Sequence, residues 1–295
     1  MQKKRLLIIG CGDVMQRALP WLTARFRVYA LLRSSEKAAR LRLSGVRVLT
    51  GNLDQPASLR RLAGIADYLL HSAPPDPARE GDPRTRRLCA ALSRSSGRMV
   101  AQPPRRAVYI STSGVYGDCQ GALIDETRPS APESPRASRR VSAEATLRAW
   151  ARRNGTTLGI LRAPGIYAAD RLPIARLQRG TPALIPADDG YSNHVHADDL
   201  ARCAALALFR ARPLRVYHAC DDEPLRTGDW FDAVARHSGL PPPPRISRTE
   251  AATSIEQGLW SFMRESRRLV NRRLREELRI RLQHPSALAF LAAGK

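Results

Sequence analysis

The stretch RLLIIGCGDVM, residues 5–15, constrains the fold of this chain more than any other. An apolar run with strand character breaks at a Gly-x-Gly turn. It then passes into DVMQRALPWLTAR, whose apolar spacing predicts a helix. The same change of period recurs through the first half. Strands are predicted at 5–10, 26–33, 46–52, 66–73, 106–114 and 156–167, with helical stretches between them, among them SEKAARLRLSG and DPRTRRLCAALSR. Strands that alternate with helices imply a parallel sheet covered on both faces. Apolar strands lacking strict alternation fit that burial. Beyond residue 165 the pattern loosens, and helices are predicted at 171–180, 197–210, 227–238 and 263–278. A strand at 214–219 is expected to rejoin the sheet, and Pro241 to Pro244 form a stiff connector.

Composition excludes several classes. A chain of 295 residues with 43% hydrophobic content can bury a substantial core, and no apolar run reaches membrane-spanning length. MQKKRLLIIGC imitates a lipoprotein signal, but its apolar part, Leu6 to Ile9, is too short for a signal core, so a cytoplasmic protein is expected. Cys11, Cys89, Cys119, Cys203 and Cys220 are scattered without a Cys-x-x-Cys pair, which argues for buried free thiols rather than disulfides or a structural zinc. The net charge of +22 attracts polyanions, yet only four of 49 basic residues are lysines. Such an arginine bias follows from codon composition as readily as from function. The arginines are spread over nearly every segment, which disfavours nucleic-acid binding as the main role.

Gly10-Cys11-Gly12-Asp13-Val14-Met15 sits between a strand and a helix, the context in which a glycine-rich turn takes a dinucleotide. Glycines let the backbone approach a pyrophosphate, whose charge meets the helix N-terminus. Met15 stands where a third glycine normally allows close helix–strand packing. The alternative is a tight turn in an α/β protein without a ligand. At the end of the second strand, where an acid would bind a ribose 2′-hydroxyl, stand Arg33, Ser34 and Ser35. A guanidinium there suits a 2′-phosphate, so NADP is favoured over NAD, unless Arg33 is simply one more surface arginine.

At this point the chain resembles the extended short-chain dehydrogenase/reductase superfamily, in its NAD-dependent epimerase/dehydratase-like group. The resemblance rests on LLIIGCGDV, ADYLLHSAPP, YISTSGVYGD, RAPGIY and SNHVHADDLA, and continues through YHACDDEPLRTGDWFDAVA and SFMRESRRLVNRRLREEL, so that it covers nearly the whole chain. It implies a Rossmann doubly wound sheet from residues 1–165 and 193–219. A smaller substrate-binding lobe would form from 166–192 and 220–295, with the site between the two. It also implies that Asn52, Leu53, Ser72, Ala73, Pro74, Pro164, Gly165 and Ile166 line the cofactor. The family is often dimeric, which leaves a homodimer open beside the small-molecule substrate.

In that family a Ser or Thr on the fifth strand hydrogen-bonds the substrate oxygen, and Thr112 matches it, with Ser113 adjacent. A Tyr-x-x-x-Lys pair then moves the proton, and by the pattern it falls at 136 and 140, before Ala143-Glu144. Those positions hold Arg136 and Arg140. Arg140 can still contact a ribose or phosphate. Arg136 cannot do the tyrosine's work, because guanidinium keeps its proton near neutral pH. Dehydratase relatives place Asp and Glu after the Thr, where this chain has Ser113 and Gly114, which disfavours a sugar-nucleotide dehydratase.

Ser134 as N-cap and Pro135 as first residue predict a helix start. At 100° per residue Arg136, Arg140, Ala143, Leu147, Trp150 and Ala151 share one side, apolar further along and therefore inward. Arg139 and Arg153 fall away from it and read as solvent-facing. Two arginines extending an inward stripe should meet a cleft or an anion. Tyr116, Tyr167 and Tyr191 are further candidate proton donors, although packing is the simpler reading. His71 and His196 read as structural, and Asp198 and Asp199 as caps of a helix from 199. A non-catalytic dinucleotide-binding sensor remains the second reading of the chain.

Overall fold

The computed structural model describes residues 3–34, 36–95 and 102–294. Seven strands form one parallel sheet: β1 (Arg5–Ile9), β2 (Arg27–Leu32), β3 (Arg47–Thr50), β4 (Tyr68–His71), β5 (Arg106–Thr112), β6 (Thr157–Ala163) and β7 (Arg215–His218). Their order is β3-β2-β1-β4-β5-β6-β7, every neighbouring pair parallel. The order reverses between β1 and β4, and a crevice outside the carboxyl ends of the strands is the usual ligand position in such sheets.

Eleven helices are described: α1 (Asp13–Arg25), α2 (Ala38–Leu43), α3 (Pro83–Leu92), α4 (Pro135–Asn154), α5 (Ile174–Gln178), α6 (Ala197–Arg210), α7 (Thr227–His237), α8 (Arg248–Ser254), α9 (Gln257–Met263), α10 (Arg272–Glu276) and α11 (Ala287–Ala293). The absence of alternation in β1 has a direct cause. Leu6 and Ile8 enter one core with Leu19 and Leu22 of α1 and Leu200 and Leu208 of α6. Leu7 and Ile9 enter another, with Leu88 of α3 and Leu147 and Trp150 of α4. Both faces are covered, so every position from Leu6 to Ile9 is apolar.

Helix α4 starts as its sequence predicts. The backbone N–H of Ala137 donates to Ser134 Oγ at 3.3 Å, Pro135 opens the helix, and Gly155 closes it at φ 63°. Ala143, Leu147, Trp150 and Ala151 are buried. Glu144 accepts a hydrogen bond from Ser111 Oγ at 2.6 Å and an ion pair from Arg162 at 2.7 Å, all three being buried. This contact ties α4 to β5 and β6.

The second half departs from the sequence reading in four places. The strand predicted over 156–167 ends at Ala163, where Pro164 lacks the N–H to continue, and Gly165–Tyr167 pairs instead with His194–His196. The helix predicted over 171–180 shortens to α5. The helix predicted over 263–278 does not form as one element: α9 ends at Met263, Arg268–Leu269 pairs with Leu123–Ile124, and α10 is the one helix in the rest of that span. The backbone there has other partners, since Cys119 and Gly121 donate to the Ser266 carbonyl and Leu269 N–H donates to Asn193 Oδ1. Finally, α6 begins at Ala197 with His196 as its cap. Buried Asp199 instead accepts from the N–H groups of Gln283 and His284. Around α7 and α11, Trp230, Phe231, Val234 and Leu291 form a separate small core. All five cysteines are free and buried. Among the described residues no helix is long and apolar enough to cross a membrane.

Candidate functional site

A cleft of about 910 Å³ lies at the carboxyl ends of β1, β4, β5 and β6, and a second of about 460 Å³ adjoins it over β2 and β3. Their shared wall is the turn after β1. Gly10 has φ +85°, and a Cβ there would lie 2.5 Å from the Ala73 nitrogen, so only glycine fits. Gly12 is the opposite case: a Cβ would meet nothing within 4 Å, which leaves an open approach to the start of α1. Ser72 Oγ donates to the Gly10 carbonyl at 2.6 Å and fixes the turn against β4. Met15 is buried in the core while edging the cleft, filling the position a third glycine would leave empty. Asp13 faces the same space beside Val14. Burial disfavours its charge, but hydrogen bonds from Arg17 and Arg171 hold its carboxyl below the usual range.

The smaller cleft brings together Arg33, Ser34, Asn52, Leu53, Ala73 and Pro74. Ser35 lies outside the described residues. Lys37 and Glu36 also reach this cleft, so the end of β2 presents two cations and one acid. Arg84, at its edge, is held by Asp54 at 2.6 Å. Pro164 and Ile166 line the larger cleft from the far side, whereas Gly165 lines only a third cleft, described next.

That third cleft, of about 470 Å³, opens from Thr112 and Ser113 toward the lobe. Thr112 borders both spaces, while Ser113 is buried at the end of β5. The start of α4 overhangs their junction. Arg136 lines both clefts, open to them but crowded by their walls, with its guanidinium 3.7 Å from the centre of the Phe262 ring. Burial by the walls, together with Arg140, Arg267 and Arg139 nearby, pushes its pKa down to about 10 although Glu265 opposes the shift. Arg140 is anchored: its Nη1 donates to Tyr109 Oη at 2.9 Å and to the Ile110 carbonyl at 3.1 Å, with the side chain still bordering the cofactor-side cleft. Arg139 is a correction. It is half-buried and lines the larger cleft rather than facing solvent, because helical side chains lean toward the N-terminus and this long one reaches past the helix start. Arg153 is exposed as expected.

The other polar candidates separate by access. Tyr116 Oη lies 2.6 Å from His218 Nε2 inside the core, and burial pushes its pKa up to about 12. Tyr167 is buried with its hydroxyl unpartnered. Tyr191, half-buried between the guanidiniums of Arg226 and Arg268, is the one of the three that reaches the open cleft without being buried. His71 is buried against Thr85 Oγ1 at 2.9 Å, and burial, aided by Arg140, pushes its pKa down to about 3. His196 caps α6. Sequence reasoning missed Tyr109, Arg171, Arg176 and Phe262. Tyr109 and Phe262 fall inside segments that carry the resemblance but have no role assigned by it, Arg171 and Arg176 fall outside those segments, and a periodicity argument has no hold on the short α5 and α9 near which three of the four sit.

The sheet order, the glycine turn and the cleft over the switch point define a Rossmann-type protein of the extended short-chain dehydrogenase/reductase superfamily. The NAD dependent epimerase/dehydratase family model matches residues 17–220, and the chain belongs to that NAD(P)-binding family. Protein YeeZ of Escherichia coli strain K12 is 27% identical over 215 residues, 72% of this chain and 71% of that protein. A conserved protein of unknown function from Silicibacter pomeroyi superposes with a TM-score of 0.80 at 29% identity, covering 99% of this chain and 98% of its own. A nucleoside-diphosphate-sugar epimerase from Pseudomonas aeruginosa (TM-score 0.78, 20% identity, 98% and 95% covered) shares the fold. So does a dTDP-glucose 4,6-dehydratase from Streptomyces venezuelae, solved with NAD (0.76, 21%, 98% and 96%).

Proposed function

We propose that this protein is an atypical NADP-dependent oxidoreductase or epimerase-like enzyme of the cytoplasm, acting on a small molecule without the family's Tyr-x-x-x-Lys pair. The observation that carries the reading is the continuous cleft from the open Gly12 face to Thr112, overhung by Arg136, Arg139 and Arg140 of α4. Gly10, Gly12 and the first turn of α1 would hold a pyrophosphate. Arg33, Ser34 and Lys37 would meet a 2′-phosphate. A bound nicotinamide supplies hydride exchange. The chain supplies binding and orientation: Thr112 Oγ1 orients and polarises a substrate oxygen, Arg140 holds the ribose side of the cleft from its anchor on Tyr109, and Arg136 meets negative charge beside Thr112. Five buried free thiols suit a reducing compartment.

Calorimetric titration with NADPH and NADH tests this. NADPH is expected to bind more tightly, with Arg33→Ala removing most of the difference. Failure of both nucleotides to bind at millimolar concentration would refute the proposal.

A second reading, a non-catalytic dinucleotide-responsive protein, draws on the same arginines. Arg136 cannot exchange a proton near neutral pH, and Tyr116 is committed to His218. Cofactor turnover with any member of a broad carbonyl and sugar-nucleotide panel would eliminate this alternative.

A further inference from the structure

The 470 Å³ cleft between Thr112 and the C-terminal helices has an unusual charge balance. Of the arginines that line it, Arg171 is paired with Asp13 at 2.9 Å and Arg267 with Glu265 at 2.7 Å. Arg136 and Arg176 have no carboxylate partner among the described residues. Each instead lies on a phenylalanine ring: Arg136 on Phe262, and Arg176 on Phe231 with 3.8 Å from guanidinium carbon to ring centre. Arg176 also donates to the Pro182 carbonyl and to Met263 Sδ, and its Nε is buried without a partner. Burial pushes both guanidiniums down to about 10, so their environment penalises a charge that neutral pH still maintains. An incoming anion would relieve that penalty at both positions, and an aromatic face strengthens a cation's hold on its geometry.

The two cations are also placed differently. The point where a Cβ on Gly114 would stand lies 3.6 Å from Thr112 Oγ1 and 3.8 Å from Arg136 Nη2. Gly114 thus puts no side chain between the hydroxyl and the guanidinium, which border the same cleft, so a carboxylate can meet the fork of Arg136 while a neighbouring oxygen meets Thr112. Arg176 stands deeper in the lobe, among Phe231 and Met263, with Trp230 and Leu259 as further apolar wall.

We propose that this cleft receives a small hydroxy- or oxo-acid whose carboxylate is bound by Arg136 beside the oxygen held by Thr112, and whose second anionic group is bound by Arg176. The inference rests on reading Thr112 as the group that meets the substrate oxygen, and it narrows the substrate to a class: short dianionic acids rather than neutral carbonyl compounds or sugar nucleotides.

Calorimetry with the full chain, with and without saturating NADPH, tests it using 1,2-butanediol, 2-hydroxybutyrate, malate, 2-hydroxyglutarate, 2-hydroxyadipate and UDP-glucose. At least one diacid is expected to bind ten times more tightly than 2-hydroxybutyrate, which in turn should exceed the diol. Arg176→Gln should reduce the diacids to the level of the monoacid. Arg136→Gln should weaken both at least tenfold, with Arg136→Lys partly restoring them. Thermal unfolding of each variant shows that the fold is kept. Equal binding of diol and acids, unchanged affinity in both glutamine variants, or UDP-glucose binding more tightly than every acid would overturn the inference. NADPH affinity on the same samples separates the two readings, since nucleotide binding with no preference for acids defeats this inference alone.

Discussion

Two sets of arginines stand in and around one continuous cleft, and the fold treats them in opposite ways. Arg84, Arg171 and Arg267 in its walls, and Arg17 beside Asp13, are each held by carboxylates at 2.6 to 3.2 Å, and beneath the floor Arg162 is buried against Glu144. Arg136 and Arg176 rest on aromatic rings, and among the described residues no carboxylate is paired with either. A neutralised arginine in a wall is part of the structure: its charge has been answered by the chain itself. An arginine left unanswered in a concave site is stable enough to persist but gains most from an external anion. In a chain with so strong an arginine excess, the partner therefore carries more information than the arginine.

Several substitutions probe this contrast, and the largest effect belongs to the neutralised set. Glu144→Ala would leave Arg162 buried and unpaired and should cost about 3–5 kcal/mol in urea unfolding. Arg136→Ala should stay within about 0.5 kcal/mol in the same assay. Comparable losses in both would break the distinction between the two sets. Next comes the glycine pair. Gly10→Ala forces a Cβ against the Ala73 backbone at positive φ and should cost about 3 kcal/mol. Gly12→Ala should leave stability within about 1 kcal/mol while weakening NADPH at least tenfold.

Arg140 belongs partly to each set. Its anchor on Tyr109 and Ile110 predicts a loss of about 2 kcal/mol for Arg140→Ala, with Arg140→Lys recovering part of it. The smallest effect is one of pH. Burial pushes the Asp221 carboxyl up to about 8, whereas the unfolded chain releases that proton near 3.9. The folded state therefore holds more protons over that window, and stability falls as pH rises through it. Buried His71, His194 and His218, pushed down to about 3, 4 and 4, act with the opposite sign below 6.5: their contribution is complete above that pH and lost as it falls. Between pH 6.5 and 8 the carboxyl acts without them, and Asp221→Asn should remove a decline of about 1.5 kcal/mol in urea unfolding.

Much of the fold was legible because local chemistry and global packing agree in the first half. The glycine turn, the uninterrupted apolar strands and the Ser134 cap each follow from a short-range rule that the sheet then reinforces. The inward stripe of α4 was legible too, since Leu147 and Trp150 bury where the period places them. The stretch 263–278 was not, because its backbone pairs with a loop some 150 residues earlier, which overrides its helical spacing. Arg139 was misplaced because a helical wheel locates Cβ atoms, not the end of a long side chain. Arg176 was invisible for another reason: what distinguishes it is the absence of an acid around it, and its ring partner Phe231 belongs to a helix that nothing local connects to α5. The neutralised arginines depend in the same way on distant partners, Asp13 with Arg171 and Asp54 with Arg84.

The most direct measurement is the thermal unfolding midpoint of the natural chain and of Gly12→Ala, each with and without NADPH. Gly12 presents bare backbone to the cleft at the start of α1, so the ligand-free midpoints should agree, and NADPH should raise only that of the natural chain. An equal rise in both proteins, or none in either, would contradict a dinucleotide site at this turn.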